Sequence, residues 1–189
     1  MLTESKNILG LTGAAGFCVV LLVVLAPGTA GAAQQIDSCA DDVNSPGLHI
    51  VNSSISDSTS TSCINVTASD VVLEGNGNTI DGVGDPNSIG VNVTDSTTLT
   101  NVTVRNLTVT NWDNGILYDD ADDGKVANVN ASANSNQGIR LFSSSNNDVT
   151  SNTATGNTNQ GIEIVLSSDN NNVTSNTVTG NGRDGIRLF

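Results

Sequence analysis

The densest run of carboxylates is YDDADDG, which places Asp119, Asp120, Asp122 and Asp123 just before Lys125. Clustered oxygen ligands suit calcium. A carboxylate-held calcium ion beside a cationic base is what a polysaccharide lyase needs, and Asp120, Asp122 and Asp123 with Lys125 could be arranged so. A glycoside hydrolase instead needs two carboxylates at a fixed separation, with supporting His and basic residues. No His or Arg recurs beside this cluster. The plainest expectation is a solvated acidic turn, with calcium the weaker alternative and catalysis the weakest. No catalytic residue is expected, and no cofactor beyond the calcium ion that this acidic cluster could hold.

Three other sets carry reactive groups. His49 is the single histidine and sits in the apolar phrase LHIV, where a structural role is expected. Arg140, Glu163 and Arg187 recur at equivalent places in neighbouring repeats. Their alternating sign predicts an outward ion-pair ladder, with a basic, substrate-gripping groove as the alternative. Trp112 and Tyr118 are the only Trp and Tyr; local packing is expected of them, with stacking on sugar rings as the alternative.

Charge narrows the partners. Nineteen acids against six bases give a net charge of −13, which repels nucleic acid and anionic membranes. An acidic chain with so few lysines suits a high-salt medium, where screening shortens the range of self-repulsion. A halophilic source is the expectation.

The amino terminus reads as a targeting segment. An apolar stretch from Ile8 to Ala26 is broken by Pro27 and Gly28, and Ala30 and Ala32 fit signal-peptidase cleavage after Ala32. An uncleaved anchor is the alternative, since about 19 apolar residues just span a bilayer. Residues 1–32 are therefore read as signal peptide or anchor, and the rest as secreted or displayed at the cell surface. Cleavage removes Cys18 and leaves Cys39 and Cys63, which in an oxidising compartment are expected to pair. Closing a loop of about 25 residues contributes roughly 3.5 kcal/mol in the chain-entropy account.

Those residues must be positioned by something, and the sequence repeats. Gly90, Gly115, Gly138, Gly161 and Gly185 open the phrases GVNV, GILY, GIRL, GIEI and GIRL, at intervals of 25, 23, 23 and 24. Asn111, Asn134, Asn157 and Asn181 keep step, as do Val126, Val149 and Val173. A period near 23 predicts a solenoid. Short runs of Val, Ile and Thr alternating with polar residues predict strands, not helices. Three short strands and their turns fill one such period, so the expected fold is an all-β, right-handed parallel β-helix.

In that fold Ile116, Ile139, Ile162 and Ile186 stack inward, with Leu141, Ile164 and Leu188 on the same face. Each buried aliphatic side chain contributes roughly 1.5–3 kcal/mol. The Asn series is expected to turn the chain while its amides bond along the column. The repeated Gly is expected to supply a positive φ. Residues 33–47 read as a linker or the start of a cap, and 48–189 as the coils. The last coil is incomplete at Phe189, so its open edge could pair end to end with another chain. Seven N-x-S/T sequons, at Asn52, Asn65, Asn92, Asn101, Asn106, Asn130 and Asn172, are candidate glycan acceptors in an exported chain.

SPGLHI, ASDVVLEGNGNTIDG, NVTVRNLTVTNWDNGI and the NNxVTSNTxTGN coils, with the Cys39 and Cys63 pair, resemble the NosD-like parallel β-helix repeat proteins. The chain looks especially like the secreted members typical of halophilic archaea. The resemblance covers about 39–189 and implies fold better than activity, since the group spans copper maturation factors, carbohydrate-acting enzymes and surface proteins. Copper delivery needs His, Met or Cys ligands, and the mature chain offers only His49 and two cysteines expected to be oxidised. The expected function is a secreted or cell-surface module for structure, adhesion or carbohydrate contact. Its partners would be surface glycans or other surface proteins. A lyase or hydrolase is the first alternative and copper delivery the second.

Overall fold

A computed structural model describes residues 32–189. The apolar segment on which the signal-peptide or anchor expectation rests lies outside the described residues. Within them all regular structure is β-strand, paired in parallel. No helix there is long and apolar enough to cross a membrane.

Three long sheets run along the stack. The seven-stranded sheet comprises Gln34–Ile36, Gly47–Val51, Val71–Glu74, Thr103–Arg105, Lys125–Ala127, Asp148–Thr150 and Asn172–Thr174. The four-stranded sheet comprises Ile55–Ser58, Thr79–Gly82, Thr108–Thr110 and Asn130–Ala131. It is continued by single bridges from Asn130 to Thr153 and from Thr153 to Thr177. The six-stranded sheet comprises Ser62–Val66, Ile89–Val93, Asn114–Asp119, Ile139–Phe142, Ile162–Val165 and Ile186–Leu188. A two-stranded pair, Leu99–Thr100 and Ala121–Asp122, fills part of a fourth side. From Gly47 onward each circuit thus visits the three long sheets in one order, and each strand meets its own equivalent.

Equivalent residues stack because the alternation of apolar and polar residues fixes the register. Ile116, Ile139, Ile162 and Ile186 are consecutive register partners, extended upstream by Val91 and Ile64. Tyr118, Leu141, Ile164 and Leu188 form the column beside them. In the seven-stranded sheet His49, Leu73, Val104, Val126, Val149 and Val173 form one column. Most of these side chains are fully buried. Residues Gln34–Ile36 pair with His49–Val51, so part of 33–47 is already a coil strand. Cys39 and Cys63 form a disulfide that ties this first segment to the six-stranded sheet.

Corners are made by single residues in the left-handed region. Asn101, Asp123, Asn146 and Asn170 mark one corner, and Asn106, Asn128, Ser151 and Ser175 a second. Asn111, Ala133, Gly156 and Gly180 mark a third, and Asp120, Ser143 and the pair Leu166–Ser167 a fourth. Asn and Asp tolerate this conformation because their short side chains bond locally. A corner of one residue keeps each circuit short.

Two expectations about the corners are corrected. Asn111 is not in the column with Asn134, Asn157 and Asn181: it is exposed, at φ +57°, with its amide on Asp81. Trp112 holds the inward place, because the coil from there to Asn134 is 22 residues long. The repeated glycines also have no positive φ at Gly90, Gly115, Gly138, Gly161 or Gly185. Space is the reason for most of them. A Cβ on Gly138 would lie 2.5 Å from the Ala131 carbonyl oxygen and 2.7 Å from both Gly161 O and Asn157 Nδ2.

Candidate functional site

The residue after each left-handed corner points inward, and there the chain builds polar ladders. Asn134 accepts the Trp112 N–H at 3.1 Å, Asn157 the Asn134 N–H at 2.9 Å, and Asn181 the Asn157 N–H at 3.0 Å. Their amides donate back to Val109, Ala131 and Ala154 carbonyls. Asn152 and Asn176 repeat the device at a second corner, and Asn147 and Asn171 at a third. Ser144 and Ser168 accept the Ala121 and Ser144 N–H groups at the fourth. A buried corner N–H left unpaired costs about 1–3 kcal/mol, so these side chains are structural necessities. Sequence reasoning saw one of the four ladders. The others were hidden because Val102, Leu107 and Ala121 hold the same places in earlier coils.

Most of the reactive residues are likewise consumed by the scaffold. His49 is buried in its column, with Nε2 2.8 Å from the Ser45 carbonyl oxygen and Nδ1 without a hydrogen-bond partner. Trp112 is fully buried, as is Tyr118, whose hydroxyl donates to the carbonyls of Val102 and Lys125. Neither ring can stack on a sugar, and burial pushes the Tyr118 phenol well above its ordinary range. The aspartates of YDDADDG are spread over a strand end and two corners. Asp120 accepts the Thr98 hydroxyl at 2.9 Å and Asp122 the Ser145 N–H at 2.6 Å. Among the described residues no group of three His, Cys, Asp or Glu side chains is placed to hold a metal ion.

Chemistry remains on the outer face of the six-stranded sheet. Asn92, Leu117, Arg140, Glu163 and Arg187 succeed one another in register. Glu163 is clamped, with Oε2 3.0 Å from Arg140 Nε and Oε1 3.5 Å from an Arg187 terminal nitrogen. The Arg140 contact is one of charge: its Nε–H makes no hydrogen bond. Gln137 Nε2 also donates to Glu163 Oε2 at 3.1 Å. The ladder differs from a simple outward one, because Glu163 is only 5% exposed. Arg140 lies 5.0 Å from the centre of the Phe142 ring, a cation–π distance. Beside this strip the side-chain oxygens of Asn92, Asn114 and Gln137 are buried without a hydrogen-bond donor.

Asp119 is set well apart from Glu163 along the same sheet. Asp119 pairs with Phe142 and lies two coils and two residues away. From strand spacing and rise, their backbones are about 12 Å apart. Hydrolases hold their two carboxyl groups about 5–9.5 Å apart.

Six of the seven sequon amides are engaged. Asn52, Asn65, Asn101, Asn106 and Asn172 donate to Asp37, Asp42, Asp70, Glu74 and Asp148, and Asn92 donates to Asn65. Asn130 instead accepts the hydroxyl of its own Ser132 at 2.6 Å.

The sequence model of the family described as a right handed beta helix region matches residues 39–189. No curated protein and no solved structure gives a match.

Proposed function

The chain belongs to the right-handed β-helix family, and from that premise we propose a non-catalytic module, displayed outside the cell, for structure and carbohydrate contact. The contact face is the outer side of the six-stranded sheet around Leu117, Arg140 and Phe142. The observation that supports it is the part-exposed Arg140 guanidinium 5.0 Å from the part-exposed Phe142 ring, which together offer hydrogen-bond donors and an apolar ring to a sugar. The Cys39–Cys63 disulfide fits an oxidising, extracytoplasmic setting. Within this reading the chain is a secreted, glycan-bearing member of the NosD-like group from a halophile, and its partners are surface glycans or other surface proteins.

A glycan array tests the contact. Binding by the unmodified protein that is lost in Phe142→Ala and Arg140→Ala, with circular dichroism unchanged, is the expected result. No glycan binding removes the carbohydrate part. Polysaccharide cleavage abolished by Asp122→Ala would reassign the protein to the lyases, and calcium would then be its cofactor. Stoichiometric copper uptake dependent on His49 would make it a delivery factor.

A further inference from the structure

The outer face of the four-stranded sheet differs from every other face of the coil stack. Along it Thr108, Asn130 and Thr153, then Thr177, succeed one another from coil to coil. Two residues on, Thr110, Ser132, Thr155 and Thr179 form a second column, with Ser132 Oγ 3.1 Å from Thr155 Oγ1. The residues between, Val109, Ala131, Ala154 and Val178, point inward and fix the outward direction of their neighbours. From β geometry the hydroxyls therefore repeat at about 4.8 Å across coils and about 6.6 Å along the strand.

Two features separate this array from a merely polar surface. First, it is uncharged in a chain of net charge −13. The seven-stranded sheet carries Glu74 and Arg105 in one column and Lys125 and Asp148 in another, and the six-stranded sheet carries Arg140, Glu163 and Arg187. The acids of this sheet sit at one end, where Asp81 precedes Thr110 in its column and is bonded by Asn111, and Asp57 lies a coil earlier. Second, among the described residues no hydrogen bond uses the hydroxyls of Thr108, Thr110, Thr153, Thr177 or Thr179. Each can donate and accept, so their bonds must be made to whatever lies outside.

We propose that this face binds an ordered water lattice, the surface of ice. A row of threonines alternates hydroxyls that anchor water with methyls that water must enclose. Immobilising a water costs up to about 2 kcal/mol in entropy. Liquid water has to be ordered over the whole array, whereas in a crystal that ordering has already occurred. A rigid, periodic face thus favours ice over liquid through the sum of many small terms. Carbohydrate is the weaker occupant here, because sugar rings are gripped by aromatic side chains and this face has none. The proposal concerns a different face from the carbohydrate contact and does not depend on it.

The test is thermal hysteresis and ice-recrystallisation inhibition by the purified protein. The unmodified chain is expected to halt and shape ice growth. Thr153→Tyr, which raises a bulky ring in the middle of the array, is expected to abolish that activity. Thr150→Tyr, on the outer face of the seven-stranded sheet, is expected to leave it intact. Thr177→Lys near the end of the array gives the same reading if Thr153→Tyr does not fold, as judged by circular dichroism. Absence of hysteresis in the unmodified protein, or its survival in both array variants, overturns the proposal. So does binding to crystalline cellulose or chitin that Thr153→Tyr abolishes without any effect on ice.

Discussion

The indole Nε1 of Trp112 donates to the carbonyl of Ile80 at 3.1 Å, the same bond that the Asn134 amide makes to Val109 one coil later. Ile80 and Val109 are register partners, so an aromatic N–H replaces an amide at the point where the polar ladder gives way to an apolar core. Trp112 cannot, however, accept an N–H from a preceding coil. The ladder of acceptors therefore begins with Asn134.

Asn157 stands in the middle of that ladder. Its Oδ1 takes the Asn134 N–H, its amide reaches the Ala131 carbonyl, and its own N–H goes to Asn181. Asn157→Ala leaves a buried donor and a buried acceptor unpaired, at about 1–3 kcal/mol each. Urea denaturation should show a lower midpoint at unchanged slope. An unchanged midpoint would mean that the ladder is decorative.

Two glycines that look alike in the repeat should respond oppositely in size. Gly138 has an ordinary φ but no room, with backbone oxygens 2.5 and 2.7 Å from the site of a Cβ. Gly156 has φ +67° and nothing within 4 Å. Gly156→Ala should cost only the left-handed penalty, about 1–2 kcal/mol. Gly138→Ala must spread two coils and should cost more, with a lower melting temperature than Gly156→Ala. The reverse order would refute the close-approach account.

How much of this was legible in the sequence depends on what each residue does. Ile116, Ile139, Ile162 and Ile186 were readable because a constant circuit keeps buried aliphatics in register, and the same constancy disclosed the β-helix. Asn111 was misplaced because one coil is a residue shorter, and identity of residue type concealed the shift of phase. The spacing-only glycines were mistaken for turn glycines because periodicity reports that a Cβ is forbidden, not whether φ or a neighbour forbids it. The threonine columns were invisible as a face, since Thr is abundant everywhere and only the register separates uncharged rows from charged ones.

The Cys39–Cys63 disulfide closes a sequence separation of 24 residues. Reduction, or Cys63→Ala with Cys39→Ala, should lower stability by about 3.5 kcal/mol on the chain-entropy account. Because the bond anchors the first segment to the six-stranded sheet, limited proteolysis should cut first before Gly47. Protection of that segment after reduction would place the restraint elsewhere.

Acid should loosen the first coils through two carboxylates. Burial pushes the Glu74 carboxyl up, but the Asn76 N–H at 2.9 Å, the Asn106 amide and the Arg105 guanidinium at 2.7 Å outweigh it and hold it below its ordinary value. Asp41 is likewise lowered by the N–H groups of Asp37 and Ser38, each at 2.9 Å. A lowered folded-state value means that the unfolded chain takes up protons first as pH falls. The stabilisation is present above the ordinary carboxylate range, near pH 4, and is lost as pH falls through the lower folded values. Melting temperature should therefore drop below about pH 4, and Glu74→Gln should flatten that drop. Concentrated salt should weaken the Arg105 contribution, since that side chain is 46% exposed and screening acts on exposed charge. The short N–H bonds are screened less, so part of the acid slope should persist in salt. A Glu74→Gln melt with the full slope of the unmodified protein would show that its proton uptake does not couple to folding.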